Sequence, residues 1–149
     1  NLLVNGGYGN PLQGARVLDI FAGTGALGLE ALSRGAAHAT FIETGKPALA
    51  LLTRNIALMR AEGETHIHRK DAATPGPNPG QPFAVIFLDP PYGKAMGEAA
   101  LKAALAGGWL APQALIVWEE NTPPVLPEGF TLEDQRKYGD TLVTIARAP

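Results

Sequence analysis

The stretch that most constrains the fold is an apolar run that stops abruptly at an acid and two prolines. Residues 83–88, Phe-Ala-Val-Ile-Phe-Leu, lead directly into Asp89, Pro90, Pro91 and Tyr92. An apolar run of this length predicts a central strand buried on both faces, as in parallel sheets. Because proline has no backbone N–H, the strand should end at Asp89. The Asp89 carboxylate is therefore expected at the carboxyl edge of the sheet, where open α/β folds bind their ligands.

The Asp-Pro-Pro-Tyr segment combines two hydrogen-bond acceptors with an aromatic face, and its four residues are our candidate catalytic residues. The prolines stiffen the loop and keep the Asp89 carboxylate close to the Pro90 carbonyl. A planar ring could stack on Tyr92 while its exocyclic amino group donates to both oxygens. Such an amine is a poor nucleophile, and acceptors that favour a tetrahedral nitrogen help mainly in the transition state. The alternative is a stiff turn with a solvated Asp89.

Size and composition limit the classes of protein that this chain can belong to. The 149 residues predict one domain, 1–149, with 46% hydrophobic and 17% charged residues. The absence of cysteine excludes disulfides and Cys-ligated metal sites. No apolar run approaches the roughly 20 residues of a membrane span, so we expect a soluble, cytoplasmic protein. The net charge of −2 argues against strong non-specific binding of nucleic acid.

Strands and helices are predicted to alternate along the chain. Predicted strands cover residues 15–21, 39–43, 66–70, 83–88 and 114–119, and a closing hairpin covers 130–138 and 141–147. Predicted helices cover 47–61 and 95–106, and a further helix follows the first strand and ends near residue 34. Residues 1–4 are predicted to be the end of an earlier helix. Residues 74–82 contain too many prolines and glycines for a helix, so this crossover should lie over the surface. This order predicts an α/β fold.

A glycine-rich turn follows the first predicted strand and opens a helix. Gly23, Gly25 and Gly28 match G-x-G-x-x-G, which alone fits NAD equally well. Asp19, four residues before the first glycine, is unfavourable to a pyrophosphate and suits a ligand that carries an ammonium and a sulfonium. Glu43, at the end of the second strand, could accept from the ribose hydroxyls of either cofactor.

These residues outline a candidate S-adenosylmethionine site, to which Asp71 at the end of the third strand could add a contact with an adenine amino group. The candidate cofactor-binding residues are Asp19, Phe21, Ala22, Gly23, Thr24, Gly25, Glu43, Asp71 and Ala72.

The segments that carry these motifs resemble a known family. Residues 19–31, Asp-Ile-Phe-Ala-Gly-Thr-Gly-Ala-Leu-Gly-Leu-Glu-Ala, with Ser-Arg-Gly-Ala at 33–36, Glu43, Phe-Leu-Asp-Pro-Pro-Tyr at 87–92 and Lys-Tyr-Gly-Asp-Thr at 137–141, are similar to the RsmD family of bacterial small-subunit rRNA guanine-N2 methyltransferases.

The resemblance implies a class I methyltransferase fold: a Rossmann-like three-layer sandwich around a seven-stranded, mostly parallel sheet with an antiparallel last strand. It also implies S-adenosylmethionine near Gly23, Gly25, Glu43 and Asp71, and a target guanine at residues 89–92. The implied partner is 16S ribosomal RNA or the assembling small subunit, and we expect a monomer with no membrane association.

Two departures from the family pattern concern RNA binding and one crossover. Family members carry a basic N-terminal arm with Arg-Pro-Thr, and nothing before Asn1 supplies it, so the arm is expected to be missing. The tract at 75–82 replaces what is usually a short helix.

An adenine-N6 methyltransferase of DNA or RNA, an NAD-linked oxidoreductase and a non-catalytic binding module remain as alternatives.

The histidines and tryptophans receive structural interpretations. His66 and His68 share one face of a strand, but no third ligand has suitable spacing, so we expect no metal site. His38 is expected on the surface at a strand edge. Trp109 and Trp118 are expected to pack in the core.

Overall fold

The computed structural model describes residues 9–149; the helix end expected at residues 1–4 lies outside them. The strands are β1 (Arg16–Ile20), β2 (His38–Ile42), β3 (Thr65–His68), β4 (Phe83–Leu88), β5 (Leu110–Glu120), β6 (Thr131–Tyr138) and β7 (Thr141–Arg147). The helices are α1 (Ala26–Ser33), α2 (Lys46–Leu58) and α3 (Met96–Ala106), with a 3₁₀ turn at Glu62–Glu64.

The seven strands form one sheet in the order β3-β2-β1-β4-β5-β7-β6. Strands β1 to β5 pair with one another in parallel, whereas β7 runs antiparallel to both β5 and β6. The predicted seven-stranded sheet with an antiparallel last strand is confirmed. Within residues 9–149, every helix is too short or too polar to cross a membrane.

The side chains of β4 alternate between two hydrophobic clusters, one on each face of the sheet. Val85 and Phe87 belong to the cluster that includes residues of α1 and α2, while Ile86 and Leu88 belong to the cluster that includes residues of α3. This burial on both faces is what the apolar run predicted. Trp109 and Trp118 are 1% and 0% exposed, which confirms their assignment to the core.

Several predicted boundaries were wrong by a few residues. Strand β5 begins at Leu110 rather than at 114, and its pairing with β4 shifts register between Phe83 and Val85. Helix α2 ends at Leu58 rather than at 61, and Arg60 then takes a φ of 52°. Strand β3 ends two residues early, at His68. Residues 71–82 contain no helix, as their prolines and glycines predict.

Candidate active site

The carboxyl ends of five strands lie in one row, and the candidate residues come just after that row. Pairing places Ile20, Ile42, His68, Leu88 and Trp118 side by side. The next residues along the chain are Phe21 after β1, Glu43 after β2 and Asp89 after β4. The sheet therefore brings the glycine turn, Glu43 and Asp89 to the same edge, as the motif spacing predicts.

The turn after β1 is held by a left-handed backbone and by its own hydrogen bonds. Phe21 ends the strand with a φ of 62°, and the Gly25 N–H donates to the Ala22 carbonyl at 2.8 Å. Gly25 has a φ of 83°, and a Cβ added to it would overlap the Leu52 side chain of α2. Gly23 also has a positive φ, 58°, but a Cβ there would meet nothing within 4 Å. Gly25 therefore lies against the core, whereas Gly23 faces open space.

Asp19 lies beneath this turn and supports the start of α1. The residue is 1% exposed, and its Oδ2 accepts the N–H of Gly28 at 3.0 Å. This bond satisfies one of the open N–H groups of the first turn, because the N-cap residue Gly25 has no side chain that could do so. Asp19 is buried rather than open to a ligand, so its contact with the cationic end of a cofactor stays a prediction.

Burial raises the pKa of Asp19 to about 8. The Gly28 N–H opposes this rise, while Asp89, Glu43 and Glu119 add to it. Negative charge on the neighbouring acidic groups disfavours ionisation of Asp19, and a cation placed among them would favour it.

Glu43 connects the end of β2 to the glycine turn. Its Oε1 accepts the Gly23 N–H at 2.7 Å, and its Oε2 accepts the N–H groups of Gly45 at 2.8 Å and Thr44 at 3.1 Å. A carboxylate offers about four lone-pair positions. In this conformation one of these positions is left for a ribose hydroxyl, whereas the sequence prediction required two.

Asp71 and Ala72 form a local turn after β3. The Asp71 Oδ1 accepts the Ala73 N–H at 2.8 Å, and the Thr74 N–H donates to the Asp71 carbonyl at 3.0 Å. Asp71 is exposed, and Ala72 is 8% exposed within the core cluster on the α3 face. The contact of Asp71 with an adenine stays a prediction, because its side chain here bonds its own loop.

The structure adds Glu119, which the sequence analysis missed, to this site. Because Leu88 pairs with Trp118, the next residues Asp89 and Glu119 are neighbours, and their carboxyl groups can form a hydrogen bond when one of them is protonated. Burial raises the pKa of both groups; the bond lowers the pKa of Asp89 and raises that of Glu119.

Of the two groups, these directions favour Glu119 as the one that is protonated and Asp89 as the one that is ionised. The sequence did contain a signal for Glu119, because this acid ends the apolar strand predicted at 114–119. That strand is the next one along the chain after the strand that leads into Asp89.

The loop that carries Tyr92 is held by the sheet and by the β6–β7 hairpin. Pro90 is buried, whereas Pro91 is exposed and Tyr92 is 41% exposed. The Tyr92 hydroxyl lies 3.3 Å from the Thr141 Oγ1 at the start of β7. Burial raises the pKa of the Glu120 carboxyl at the end of β5, whose Oε2 accepts the Trp118 Nε1–H at 3.3 Å. The hairpin turn therefore borders the site, which gives the Lys-Tyr-Gly-Asp-Thr segment a structural role.

Two of the histidines, His38 and His66, lie away from this row, whereas His68 is the last residue of β3 and belongs to it. His38 was expected on the surface, but it is partly buried: its Nε2 lies 2.8 Å from the Thr40 Oγ1, and its ring centroid lies 6.2 Å from that of Phe83. The prediction failed because the crossover at residues 71–82 covers this end of the sheet. Over residues 9–149, no three His, Asp or Glu side chains are grouped in a way that could hold a metal ion.

The sheet order, the glycine turn after β1 and the Asp-Pro-Pro-Tyr loop after β4 define an α/β fold of the class I methyltransferase type. The family follows from the sequence. The profile of the family described as "Conserved hypothetical protein 95" matches residues 4–147, and the chain belongs to this family, the RsmD family.

Named relatives and solved structures agree with this assignment. The chain is 38% identical over 128 residues to Ribosomal RNA small subunit methyltransferase D of Escherichia coli, covering 84% of this chain and 64% of the relative, so it spans less than two thirds of that protein. A solved Haemophilus influenzae structure superposes with a TM-score of 0.83 at 32% identity, covering 98% and 93% of the two chains. TrmN from Thermus thermophilus superposes with a TM-score of 0.77 at 25% identity, covering 92% of this chain and 45% of TrmN.

Proposed function

We propose that this protein transfers a methyl group from S-adenosylmethionine to the exocyclic N2 of a guanine in small-subunit ribosomal RNA. The observation that carries the proposal is the position of Asp89, which emerges from β4 beside the glycine turn and is paired with a second carboxyl group. The name of the Escherichia coli relative supports ribosomal RNA as the substrate class. We further propose that the chain acts as one domain and one copy on this RNA or on the assembling subunit.

The acidic edge supports a cationic cofactor rather than a dinucleotide. Burial raises the pKa of Asp19, and the neighbouring Asp89, Glu43 and Glu119 raise it further. A pyrophosphate beside them would add negative charge, whereas an ammonium or a sulfonium would be stabilised. The open space at Gly23 leaves room for a ligand to approach the backbone. In this proposal Gly23, Gly25, Glu43 and Asp71 hold the cofactor.

When bound, S-adenosylmethionine supplies an electrophilic methyl group on a sulfonium. The protein supplies position and charge. Ionised Asp89 and the Pro90 carbonyl accept the two hydrogens of the target amine, and Tyr92 stacks on a base that has left its helix. Positive charge that develops on the nitrogen is stabilised by Asp89, and this contact is stronger in the transition state than in the ground state.

Glu119 keeps Asp89 ready for this role. Protonated Glu119 donates a hydrogen bond to Asp89 and holds the carboxylate in place. The bond also lowers the pKa of Asp89, so that Asp89 stays ionised to a lower pH. After transfer, the proton released by the nitrogen passes to Asp89 and then to solvent. No metal ion is required for these steps.

The test identifies the modified nucleoside directly. Small-subunit particles from a strain that lacks this methylation are incubated with the protein and with methyl-labelled S-adenosylmethionine, and the RNA is digested to nucleosides. The proposal predicts label in N2-methylguanosine. Label in N6-methyladenosine, or no transfer although the cofactor binds, would contradict it.

A further inference from the structure

A second candidate site lies beside the sheet and extends from the starts of β1, β2 and β4 along β3. It is a cleft of about 240 Å³ lined by residues at the start of β1, β2 and β4, by two histidines of β3 and by the tract between β3 and β4. All three histidines of the chain, His38, His66 and His68, lie on its wall. The proposed methyl transfer uses none of these residues, so the cleft needs its own explanation.

The cleft exists because the crossover from β3 to β4 contains no helix. In place of an apolar helix, the proline- and glycine-rich tract passes over this end of the sheet. It is held by Asn78, whose Nδ2 donates to the carbonyls of Gln81 at 2.9 Å and Gly108 at 3.2 Å, and by the Trp109 Nε1, which donates to the Gly76 carbonyl at 2.8 Å. The tract leaves the polar side chains of β2 and β3 facing a cavity instead of a packed helix.

The wall of the cleft offers hydrogen-bond donors and positive charge, and none of its lining residues is acidic. The Arg16 guanidinium lies 4.8 Å from the centre of the Phe83 ring, and its Nη2 donates to the Gln81 carbonyl at 3.3 Å. The Arg16 Nε is buried and has no hydrogen-bond partner among the described residues. An unpaired buried donor on a charged group is costly, so this atom favours an acceptor that the protein does not supply.

The histidines add hydrogen-bond donors to the cleft, and the pKa of His38 should change when an anion binds. Burial lowers the pKa of His38, and the nearby Arg16 and His66 lower it further. The His68 Nε2 bonds the Pro75 carbonyl at 2.8 Å, and its ring lies 4.9 Å from that of Trp109, so His68 mainly fixes the wall. An anion between Arg16, His38 and His66 would remove the repulsion among them and raise the pKa of His38.

We infer that this cleft binds a phosphate group, with Arg16, His38 and His66 as its donors. An arginine with adjacent imidazoles suits an oxyanion that accepts several hydrogen bonds at once. The volume is below the roughly 300 Å³ at which pockets for drug-sized ligands begin. The cleft therefore takes the phosphate and little of the molecule that bears it, which is either the RNA backbone or a small phosphorylated metabolite.

The test follows the histidine side chains of the whole protein by NMR while inorganic phosphate is added at constant ionic strength. Because every histidine lines the cleft, each signal reports on it. We expect a saturable shift of the His38 and His66 signals and a rise in the pKa of His38, with no such change when chloride is added instead. Absence of a saturable shift would overturn the inference.

Three variants distinguish phosphate binding in the cleft from a general effect of the protein's positive charges. Arg16→Gln should weaken phosphate binding about tenfold or more, because it removes a charged donor. His66→Gln, at an exposed position, should weaken it by a smaller factor without risk to folding. Arg69→Gln removes the same charge from an exposed residue outside the cleft and should leave binding unchanged. Equal losses in Arg16→Gln and Arg69→Gln would also overturn the inference.

A final comparison identifies the source of the phosphate. If a short ribosomal RNA competes with inorganic phosphate for the histidine signals, and binds more weakly to Arg16→Gln than to Arg69→Gln, the ligand is the RNA backbone. If mononucleotides compete with inorganic phosphate for the histidine signals and the RNA does not, the ligand is a small phosphorylated molecule. Cofactor binding should be unchanged in all three variants, because no residue of the glycine turn lines the cleft.

Discussion

At the scale of single residues, the paired carboxyl groups of Asp89 and Glu119 determine how the candidate site responds to pH. Both groups have a raised pKa because they are partly removed from water. A hydrogen bond between them favours the ionised form of Asp89 and the protonated form of Glu119. The acceptor and its supporting donor therefore come from adjacent strands and need no metal ion between them.

Replacement of Glu119 should change the pH dependence of methyl transfer in a way that depends on the substitute. Glu119→Gln retains a donor to Asp89 and should keep turnover within about threefold of wild type. Glu119→Ala removes the donor, which should lower turnover about tenfold or more and move the acidic limb of the pH–rate profile to higher pH. The measurement is kcat against pH for both variants; identical profiles would contradict this role for Glu119.

The buried Asp19 should make the stability of the protein depend on pH. Its folded-state pKa of about 8 lies above the ordinary value of 3.8, so the folded state binds the proton more tightly than the unfolded chain. Its stabilising contribution is therefore present below the ordinary pKa and is lost as the pH rises through about 8.

Asp19→Asn keeps an acceptor for the Gly28 N–H but cannot ionise. Relative to wild type, this variant should gain on the order of a few kcal/mol in unfolding free energy between pH 5 and pH 8, without cofactor. Urea denaturation at the two pH values measures the difference. A stability difference that is equal at both pH values would show that Asp19 does not titrate in this range.

At the scale of elements, the start of α1 is held by acidic side chains from two neighbouring strands. The N-cap Gly25 makes no side-chain bond, and Asp19 of β1 accepts the N–H of Gly28. Glu43, after β2, accepts the N–H of Gly23 in the preceding turn. The turn is thus fixed before any ligand binds, which limits the conformational entropy that binding would cost.

Two glycines of this turn should differ in their tolerance of alanine. Gly25→Ala adds a Cβ against Leu52 at a positive φ and should destabilise the protein by about 3 kcal/mol. Gly23→Ala is the matched control: its φ is also positive but its Cβ would meet open space, so the cost should be about 1 kcal/mol. Chemical denaturation checks both; equal costs would contradict the packing of Gly25 against α2.

The elements that local chemistry specifies could be predicted from the sequence. The apolar run before Pro90 and the glycine turn after β1 each contain their own start and stop signals. The early start of β5 could not be predicted, because it depends on a register shift opposite Phe83 and on a φ of 61° at Gln113. The pairing of Glu119 with Asp89 likewise depends on register between strands that are distant in sequence, and the burial of His38 depends on the path of the crossover.

At the scale of the whole molecule, the two edges of the sheet carry opposite chemistry. The carboxyl edge holds Asp19, Glu43, Asp89 and Glu119, while Arg16 and His38 lie at the starts of β1 and β2. The net charge of −2 is therefore unevenly distributed. The acidic end suits a cationic cofactor, and the donor-rich end suits an anion. A parallel sheet creates this separation because each strand contributes its first residues to one edge and its last residues to the other.

The most direct test of the central claim measures cofactor binding and turnover in the same variant. Asp89→Ala removes the proposed acceptor and should lower methyl transfer about a hundredfold or more, while calorimetry shows an affinity for S-adenosylmethionine within about threefold of wild type. Glu64→Ala, which removes an exposed acid far from this edge, should leave both quantities unchanged. Loss of cofactor binding with turnover preserved in Asp89→Ala would contradict the account.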